Sequence, residues 1–159
     1  MAPVVRPVED RDKAAVVTLS LRAWEPVFVS MRNVLGDPLF ERLRPEWRDG
    51  QRDAVLAACE KHHTWVAEVD AVVAGFVAVR YDRESMTGEI DMIAVDPDHQ
   101  RVGLGSLLTT FALDRMRDNG MTVGVVETGG DPGHGPARAT YERAGFTPMP
   151  IARYFTLLG

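Results

Sequence analysis

The feature that most constrains this chain is the stretch EIDMIAVDPDHQRVGLGSLL at residues 89–108. An apolar run leads to a turn at Asp96 and Pro97, then to two glycines one residue apart, then to leucines at helical spacing. That order predicts a buried strand, a glycine loop and the start of a helix. The first N–H groups of a helix lack partners within the helix, so they attract an anion, and Gly103 and Gly105 would let it come close. The stretch therefore predicts an α/β fold with an anion site, unless the two glycines serve only a tight turn.

The glycine loop does not match the two common phosphate-binding motifs. A P-loop needs a lysine in the pattern G-x-x-x-x-G-K, and the chain has no such string. The dinucleotide fingerprint G-x-G-x-x-G needs a third small residue where this chain has Leu108. A pyrophosphate held on backbone amides alone remains compatible with the loop.

The remaining periodicity predicts a mixed α/β protein built around one twisted central sheet of about six or seven strands, with about four helices. Strands are expected at residues 4–6, 64–69, 72–81, 89–95, 122–127, 146–149 and 153–158. Helices are expected at residues 9–24, from about 47 to 60, from 104 to the Asn119-Gly120 pair, and at 136–144. Pro26, Gly36 and Pro45 interrupt the pattern in between, and Asp70 and Ala71 suggest a tight hairpin.

Length, charge and cysteine content narrow the class of protein. A chain of 159 residues favours one domain. A net charge of −5 argues against a nucleic-acid partner and suits a cationic or amine-bearing one. Cys59 is the single cysteine, so no disulfide within the chain is possible, and we expect it to be a buried apolar residue. The first residues show no apolar signal core, and no uncharged run approaches the length of a membrane span. These features predict a cytoplasmic protein without a membrane partner.

Two strings carry a resemblance to a known family. Residues 95–108 read V-D-P-x-x-Q-R-x-G-x-G-x-L-L, and residues 137–146 read A-R-A-T-Y-E-R-A-G-F. The first resembles the acyl-CoA-binding motif of the GNAT superfamily of N-acetyltransferases, and the second resembles that family's later A-x-x-x-Y-E-x-x-G-F segment. The resemblance covers about residues 64–159, while residues 1–63 fit by predicted elements only. It implies a single GNAT domain over residues 1–159, with the acyl-CoA-binding core at about 64–149.

The resemblance implies acetyl-CoA as the co-substrate and a geometry for holding it. The strand ending at Val95 would splay from the strand ending at Glu127, and the pantetheine arm would bond the backbone of Ile93 and Val95. The pyrophosphate would rest on amides of the glycine loop, with Arg101 either facing the phosphates or solvated. The implied cofactor-binding residues are Ile93, Ala94, Val95, Gln100, Arg101, Val102, Gly103, Leu104, Gly105 and Ser106.

Acetyl transfer to an amine needs an acid and a base, and two residues match those roles. A tyrosine is protonated at pH 7 and can donate to a leaving sulfur, and Tyr141 matches the family's tyrosine by position. The alternative for Tyr141 is a core tyrosine bonded to the backbone. Glu127 is the candidate base, since burial at the end of its strand would raise the pKa of its carboxyl. Its alternative is a carboxylate that caps the following turn.

Three further residues could bind the acceptor or relay a proton: Asp91, Glu89 and His134. Asp91 and Glu89 are expected on the same strand face as Ile93, and each is about as plausible as a structural carboxylate. His134 lies in the loop GGDPGHGP, where the common family pattern has an asparagine, and it could equally be a capping residue. The adjacent His62 and His63 have no partner at metal-ligand spacing, so no metal is expected.

Together these features predict an N-acetyltransferase that moves the acetyl group from acetyl-CoA to a primary amine by direct attack in a ternary complex. The acceptor would be a small molecule or a peptide amine, and the family resemblance also allows a homodimer. The alternative is an acyl-CoA-binding or regulatory module of the same fold without catalysis. A nucleotide-phosphate protein of another fold is the third interpretation of the same loop.

Overall fold

A five-stranded sheet with helices on both faces forms the frame of the protein, whose computed structural model describes residues 2–159. The strands follow each other across the sheet in chain order; all neighbours are antiparallel except the last pair, which is parallel. The elements are β1 (Val4–Pro7), α1 (Lys13–Leu35), α2 (Asp37–Leu43), α3 (Trp47–Lys61), β2 (His63–Val69), β3 (Val72–Asp82), β4 (Thr87–Val95), α4 (Leu104–Asp118), β5 (Val123–Val126) and α5 (Gly135–Arg143).

Each face of the sheet has its own apolar core. On one face α4 presents a stripe of residues spaced by four, which packs against Val77, Val79 and Ile90: Leu104, Leu108, Ala112 and Met116. On the other face, α1 and α3 pack against Val66, Phe76 and Ala94 with the buried residues Val16, Leu19, Val55 and Cys59. The two cores confirm the mixed α/β fold, and Cys59 is a buried thiol of the second core.

Helix α1 is longer than the sequence predicted. Instead of ending near residue 24, it continues through Pro26 to Leu35. A proline inside a helix removes one backbone hydrogen bond and crowds the preceding turn. The half of α1 beyond Pro26 is nevertheless held by packing, since Phe28 stacks on Trp47 of α3 at 4.3 Å between ring centroids and meets Phe40 of α2 edge-on. Trp24, in the half of α1 before Pro26, meets Phe76 of β3 edge-on, so aromatic contacts hold both halves of the helix.

The sheet has five strands rather than six or seven, because the two strands expected at 146–149 and 153–158 do not form. Residues 146–159 have no regular secondary structure. Pro148 and Pro150 cannot donate to a strand ladder, which weakens any pairing at the start of this segment. β5 is consequently the last strand of the described sheet and is paired on one side only.

The residues predicted to form the hairpin turn and to end α4 have the expected positive φ angles. Asp70 and Ala71 both have positive φ, at 51° and 64°, as a tight hairpin between β2 and β3 requires. Gly120 has φ 78° and follows the last residues of α4.

Within the described residues one stretch, Asp10–Leu35, is long and apolar enough by length and composition to cross a membrane. That stretch contains α1, which packs on the sheet, and a core helix passes the same test.

Candidate active site

A gap opens between β4 and β5. The parallel pairing of these strands ends where Ile90 meets Val126, while β4 continues to Val95. The N–H of Asp96 donates to the carbonyl of Ala74 in line with β3. Because hydrogen bonding alternates along an antiparallel pair, Ala94 also turns its backbone to β3, and Ile93 and Val95 turn theirs the other way. The backbone of those two residues therefore faces the gap.

Helix α4 starts beside this gap with amides that no helical carbonyl accepts. Gly103 precedes the helix in a left-handed conformation (φ 86°), and the first backbone bond within the helix runs from Leu107 to Gly103. The N–H groups of Leu104, Gly105 and Ser106 are therefore left over. A Cβ on Gly103 would meet nothing within 4 Å, and one on Gly105 would meet only Val95, at 3.9 Å. The space that these Cβ atoms would fill suits a pyrophosphate lying on backbone amides.

The loop before α4 is held to the end of β4 by its glutamine. The side-chain amide of Gln100 donates to the carbonyl oxygen of Val95 at 3.1 Å. Arg101 adopts a positive φ of 66°, which is uncommon for a residue with a side chain, and both Arg101 and Val102 are exposed. Gln100 thus donates to the carbonyl of Val95, while the N–H of Val95 remains directed into the gap.

Tyr141 is buried on α5. Its ring meets Phe146 edge-on at 6.0 Å between centroids, and its exposed fraction is 8%. Burial raises the pKa of its phenol to about 12, since a phenolate would be poorly solvated there. The hydroxyl makes no hydrogen bond to the residues that the structure describes, so the alternative of a tyrosine bonded to the backbone finds no support. The phenol therefore stays a proton donor throughout the neutral range.

Glu127 lies just beyond the end of β5 and is exposed. The burial that the sequence suggested for this carboxylate is not found, because Glu127 follows the half-buried end of an edge strand and is itself exposed. Glu127 nevertheless lies directly after Val126, where the pairing of β4 and β5 ends.

Asp91 and Glu89 lie on the face of the sheet opposite to Ile93, contrary to the prediction. Ala78 pairs with Met92 and Val79 pairs with Ile90, so Asp91 is an extra residue that forms a β-bulge. The bulge reverses the alternation of faces: Ile93 packs in the α4 core, while Asp91 and Glu89 reach Arg80 at 3.4 Å and 2.7 Å. His62 lies 3.7 Å from the other oxygen of Asp91. Both carboxylates are therefore members of a small charged cluster.

Side-chain hydrogen bonds hold the loop between β5 and α5 in place. Asp131 accepts a hydrogen bond from the hydroxyl of Ser30 on α1 at 2.5 Å and is in hydrogen-bond contact with Nδ1 of His134. Arg138 of α5 donates to the carbonyls of Gly129 at 2.6 Å and Asp131 at 2.8 Å. The sequence analysis named His134 but not Asp131 or Ser30. The run of glycines around Asp131 was the available signal, whereas Ser30 is far away in sequence.

Helix α1 spans the mouth of the gap. Arg22 forms an ion pair with Asp96 at 2.8 Å, directly after β4, and a second one with Asp98 at 3.3 Å. Further along the same helix Ser30 bonds Asp131 in the loop after β5. Residues 22 and 30 lie about 12 Å apart along a helix axis. Helix α1 thus ties together the ends of the two strands that separate.

The separating parallel strands, the outward backbone of β4 and the glycine-opened helix are the features that the resemblance to an acyl-CoA-dependent acyltransferase implied. Residues 28–146 match the acetyltransferase (GNAT) family. The match covers most of the chain, so the chain belongs to the GNAT acetyltransferase family, as its two motifs indicated. The resemblance noted from those motifs is confirmed, as is the assignment to the acyltransferases.

Several curated relatives carry the name mycothiol acetyltransferase. The one from Rhodococcus jostii (strain RHA1) is 31% identical over 147 residues, which are 90% of this chain and 44% of that protein. The one from Beutenbergia cavernae is 44% identical over 68 residues, which are 43% of this chain and 22% of that protein. The chain spans less than half the length of these relatives.

Solved structures show the same fold at lower identity. The ribosomal-protein-S18-alanine N-acetyltransferase from Escherichia coli has a TM-score of 0.70 and 20% identity, covering 99% of this chain and 86% of that chain. The PaiA N-acetyltransferase from Thermoplasma acidophilum in complex with coenzyme A has a TM-score of 0.68 and 13% identity, covering 92% of this chain and 91% of that chain. At such identities the likeness concerns the fold.

Proposed function

We propose that this chain binds acetyl-CoA in the gap between β4 and β5 and transfers the acetyl group to a primary amine by direct attack. The observation that carries the proposal is the backbone of Ile93 and Val95 facing the gap beside the amides of Leu104, Gly105 and Ser106. The first pair would hold the pantetheine arm, and the amides would hold the pyrophosphate. The glycines beside those amides leave room for it.

The reaction makes two demands on the residues around the gap. A lysine-like amine has a pKa of ~10.4, so only about one molecule in a few thousand is neutral at pH 7, and a base must remove its proton. The acetyl carbonyl gains negative charge during attack, and the N–H of Val95, which faces the gap, would stabilise that charge. Tyr141 would donate its proton to the departing sulfur. Positioning of the two substrates supplies much of the remaining rate.

For the base, the sequence prediction is Glu127, an exposed carboxylate at the end of β5. Asp91 and Glu89 remain candidates for binding a cationic acceptor or relaying its proton, although Arg80 neutralises part of their charge. The acceptor class stays a small molecule or a peptide amine. The curated relatives are named mycothiol acetyltransferase, and one structural neighbour is named for the alanine of a ribosomal protein. We further propose that the reaction takes place in the cytoplasm and that residues 1–159 act as one domain.

Substitution of Tyr141 separates an enzyme from a binding module of the same fold. Tyr141→Phe keeps the ring in its pocket and removes only the hydroxyl, so acetyl-CoA binding should persist while amine-dependent thiol release falls about 10²- to 10⁴-fold. Both quantities are measured on the same preparations, by calorimetry and by a thiol reagent. A wild-type protein that binds acetyl-CoA and releases no thiol with any amine of a broad panel would support the non-catalytic module instead.

A further inference from the structure

We propose that His134, held by Asp131, is the base that takes the proton from the acceptor amine. The inference rests on the proposed acetyl transfer and assigns one of its roles to a residue pair outside Glu127. Asp131 uses one oxygen for the hydroxyl of Ser30, at 2.5 Å, and the other for Nδ1 of His134. The two side chains are mostly enclosed, with 14% of Asp131 and 19% of His134 exposed.

The loop backbone is built around this pair. A Cβ on Gly129 would lie 2.6 Å from Nδ1 of His134, and a Cβ on Gly133 would lie 2.5 Å from the Cβ of Ser30. Neither site has room for a larger residue, so the glycines of GGDPGHGP allow a carboxylate and an imidazole to meet under the loop. Arg138 then fixes the carbonyls of Gly129 and Asp131. Helix α1 thus bonds the side chain of Asp131, and α5 bonds the backbone of the loop that carries the pair.

The pair lies where the proposed reaction needs a base. The loop leaves β5 at the edge of the gap, and Ser30 attaches it to α1, the helix that reaches across to Asp96 at the end of β4. His134 also directly precedes α5, the helix that carries Tyr141. Tyr141 comes seven positions after His134, in the second turn of α5. The proposed acid and base would then lie on α5 and at its N-cap.

The hydrogen bonding leaves one nitrogen of the imidazole available. Burial raises the pKa of the Asp131 carboxyl, but the hydrogen bonds from Ser30 and His134 outweigh it, so the pKa is lowered and the group stays ionised at neutral pH. A carboxylate that accepts the Nδ1 proton fixes the tautomer in which Nε2 carries a lone pair. Nε2 makes no hydrogen bond to the residues described in the structure and is the atom that would accept a proton.

The protons and bonds balance with residues already named. His134 Nε2 takes one proton from the ammonium form of the acceptor and releases it to solvent. The neutral nitrogen forms a bond to the acetyl carbon, and the carbon–sulfur bond breaks. Tyr141 gives its proton to the sulfur, and the second proton lost by the nitrogen restores the phenol. One proton enters solvent for each acetyl group transferred.

The test compares His134→Gln with Glu127→Gln and with His63→Gln, an exposed histidine of β2, as the matched control. Thiol release from acetyl-CoA is followed from pH 6 to pH 10.5 with spermidine, a tripeptide with a free N-terminus and neamine as amines. We expect kcat/KM of His134→Gln to fall about 10²- to 10⁴-fold at pH 7 and to recover toward wild type as pH approaches that at which the amine is neutral by itself. Only loss of a base gives that recovery. Asp131, which contacts His134, and Ser30 and Arg138, which bond Asp131, are not altered in these variants.

Asp131→Asn gives a second measurement, in which Asp131 acts as a positioning residue. We expect a lower kcat at pH 7, an unchanged KM for acetyl-CoA and a weaker Nδ1–H signal of His134 in ¹⁵N NMR, which needs no substrate. An His134→Gln enzyme as active as the wild type, or one equally impaired at every pH, overturns the assignment, as does a pH-dependent loss in Glu127→Gln alone. A wild type that acetylates none of the three amines contradicts the proposed function itself.

Discussion

At the scale of single residues, Gly103 and Gly105 of the glycine loop differ in the reason why a glycine stands there. Gly103 has a positive φ, so a side chain there strains the backbone whatever the space around it. Gly105 belongs to the first turn of α4, and a Cβ there would meet only Val95 in ordinary contact. Packing alone therefore does not require a glycine at position 105, whereas the proposed close approach of the pyrophosphate would.

This contrast gives a prediction for Gly105→Ala. The variant should fold with unchanged stability and bind acetyl-CoA at least about tenfold more weakly, which is ~1.4 kcal/mol. Gly50→Ala in α3 is the matched control, because a Cβ there would meet nothing within 4 Å and the site is far from the glycine loop in sequence. It should bind acetyl-CoA normally and gain roughly 0.5–1 kcal/mol of stability from its better helix propensity. Calorimetric titration and thermal melts decide; tight binding by Gly105→Ala would mean that this glycine serves the turn alone.

At the scale of elements, a buried ion cluster attaches β1 to its surroundings. Arg6 of β1 donates two hydrogen bonds to Asp12, at 2.7 Å and 2.9 Å, and one to Glu68 of β2 at 2.8 Å. Asp12 is only 4% exposed. The hydrogen bond from Arg6 is the main reason why the pKa of the Asp12 carboxyl lies below its ordinary value, outweighing the opposite effect of burial.

The lowered pKa of Asp12 predicts acid sensitivity. A carboxyl whose pKa is lower in the folded than in the unfolded chain adds stability above its unfolded pKa of ~3.9 and loses it as pH falls below that value. We expect the free energy of unfolding to decrease below about pH 4, with a smaller slope in Asp12→Asn. That substitution leaves Arg6 partly unpaired and should cost about 3 kcal/mol at pH 7. Urea unfolding at several pH values measures both effects, and an equal slope in the two proteins would exclude Asp12 as the cause.

Elements whose ends are marked by turn residues close in sequence were predictable, and elements fixed by contacts between distant residues were not. The strand, loop and helix of residues 89–108 were found correctly, because Asp96-Pro97 and the glycines mark their ends within a few residues. The bulge at Asp91 depends on the register between β3 and β4, which no local pattern records. The continuation of α1 through Pro26 depends on Phe28 packing against α2 and α3. The contact of Ser30 with Asp131 joins residues 101 positions apart.

At the scale of the whole molecule, the segment 147–159 exposes apolar side chains to solvent. Residues 147–159 are all exposed, including Met149 at 78%, Tyr154 at 90% and Leu158 at 96%. Large exposed apolar surfaces mark association sites, and the edge of β5 is an unpaired strand on the same protein. We therefore expect the homodimer that the family resemblance allows, with this segment in the interface.

Light scattering coupled to size-exclusion chromatography tests this expectation. The full chain should elute as a dimer, and a chain ending at Thr147 should elute as a monomer whose melting temperature is changed little, since the deleted residues contact no core. A full chain that is monomeric at all accessible concentrations would contradict it. If the full chain is a dimer and the shortened chain is also a dimer, the interface lies elsewhere.

The central claim is that the gap beside α4 holds acetyl-CoA, and calorimetric titration of the purified protein with acetyl-CoA tests it most directly. ATP and NAD serve as controls, because they carry phosphates without the pantetheine arm that the backbone of Ile93 and Val95 would bind. The account predicts micromolar binding of acetyl-CoA and much weaker binding of both controls. ATP bound more tightly than acetyl-CoA, or no binding of acetyl-CoA or of a longer acyl-CoA, would contradict it and leave the likeness to acetyltransferases as one of fold alone.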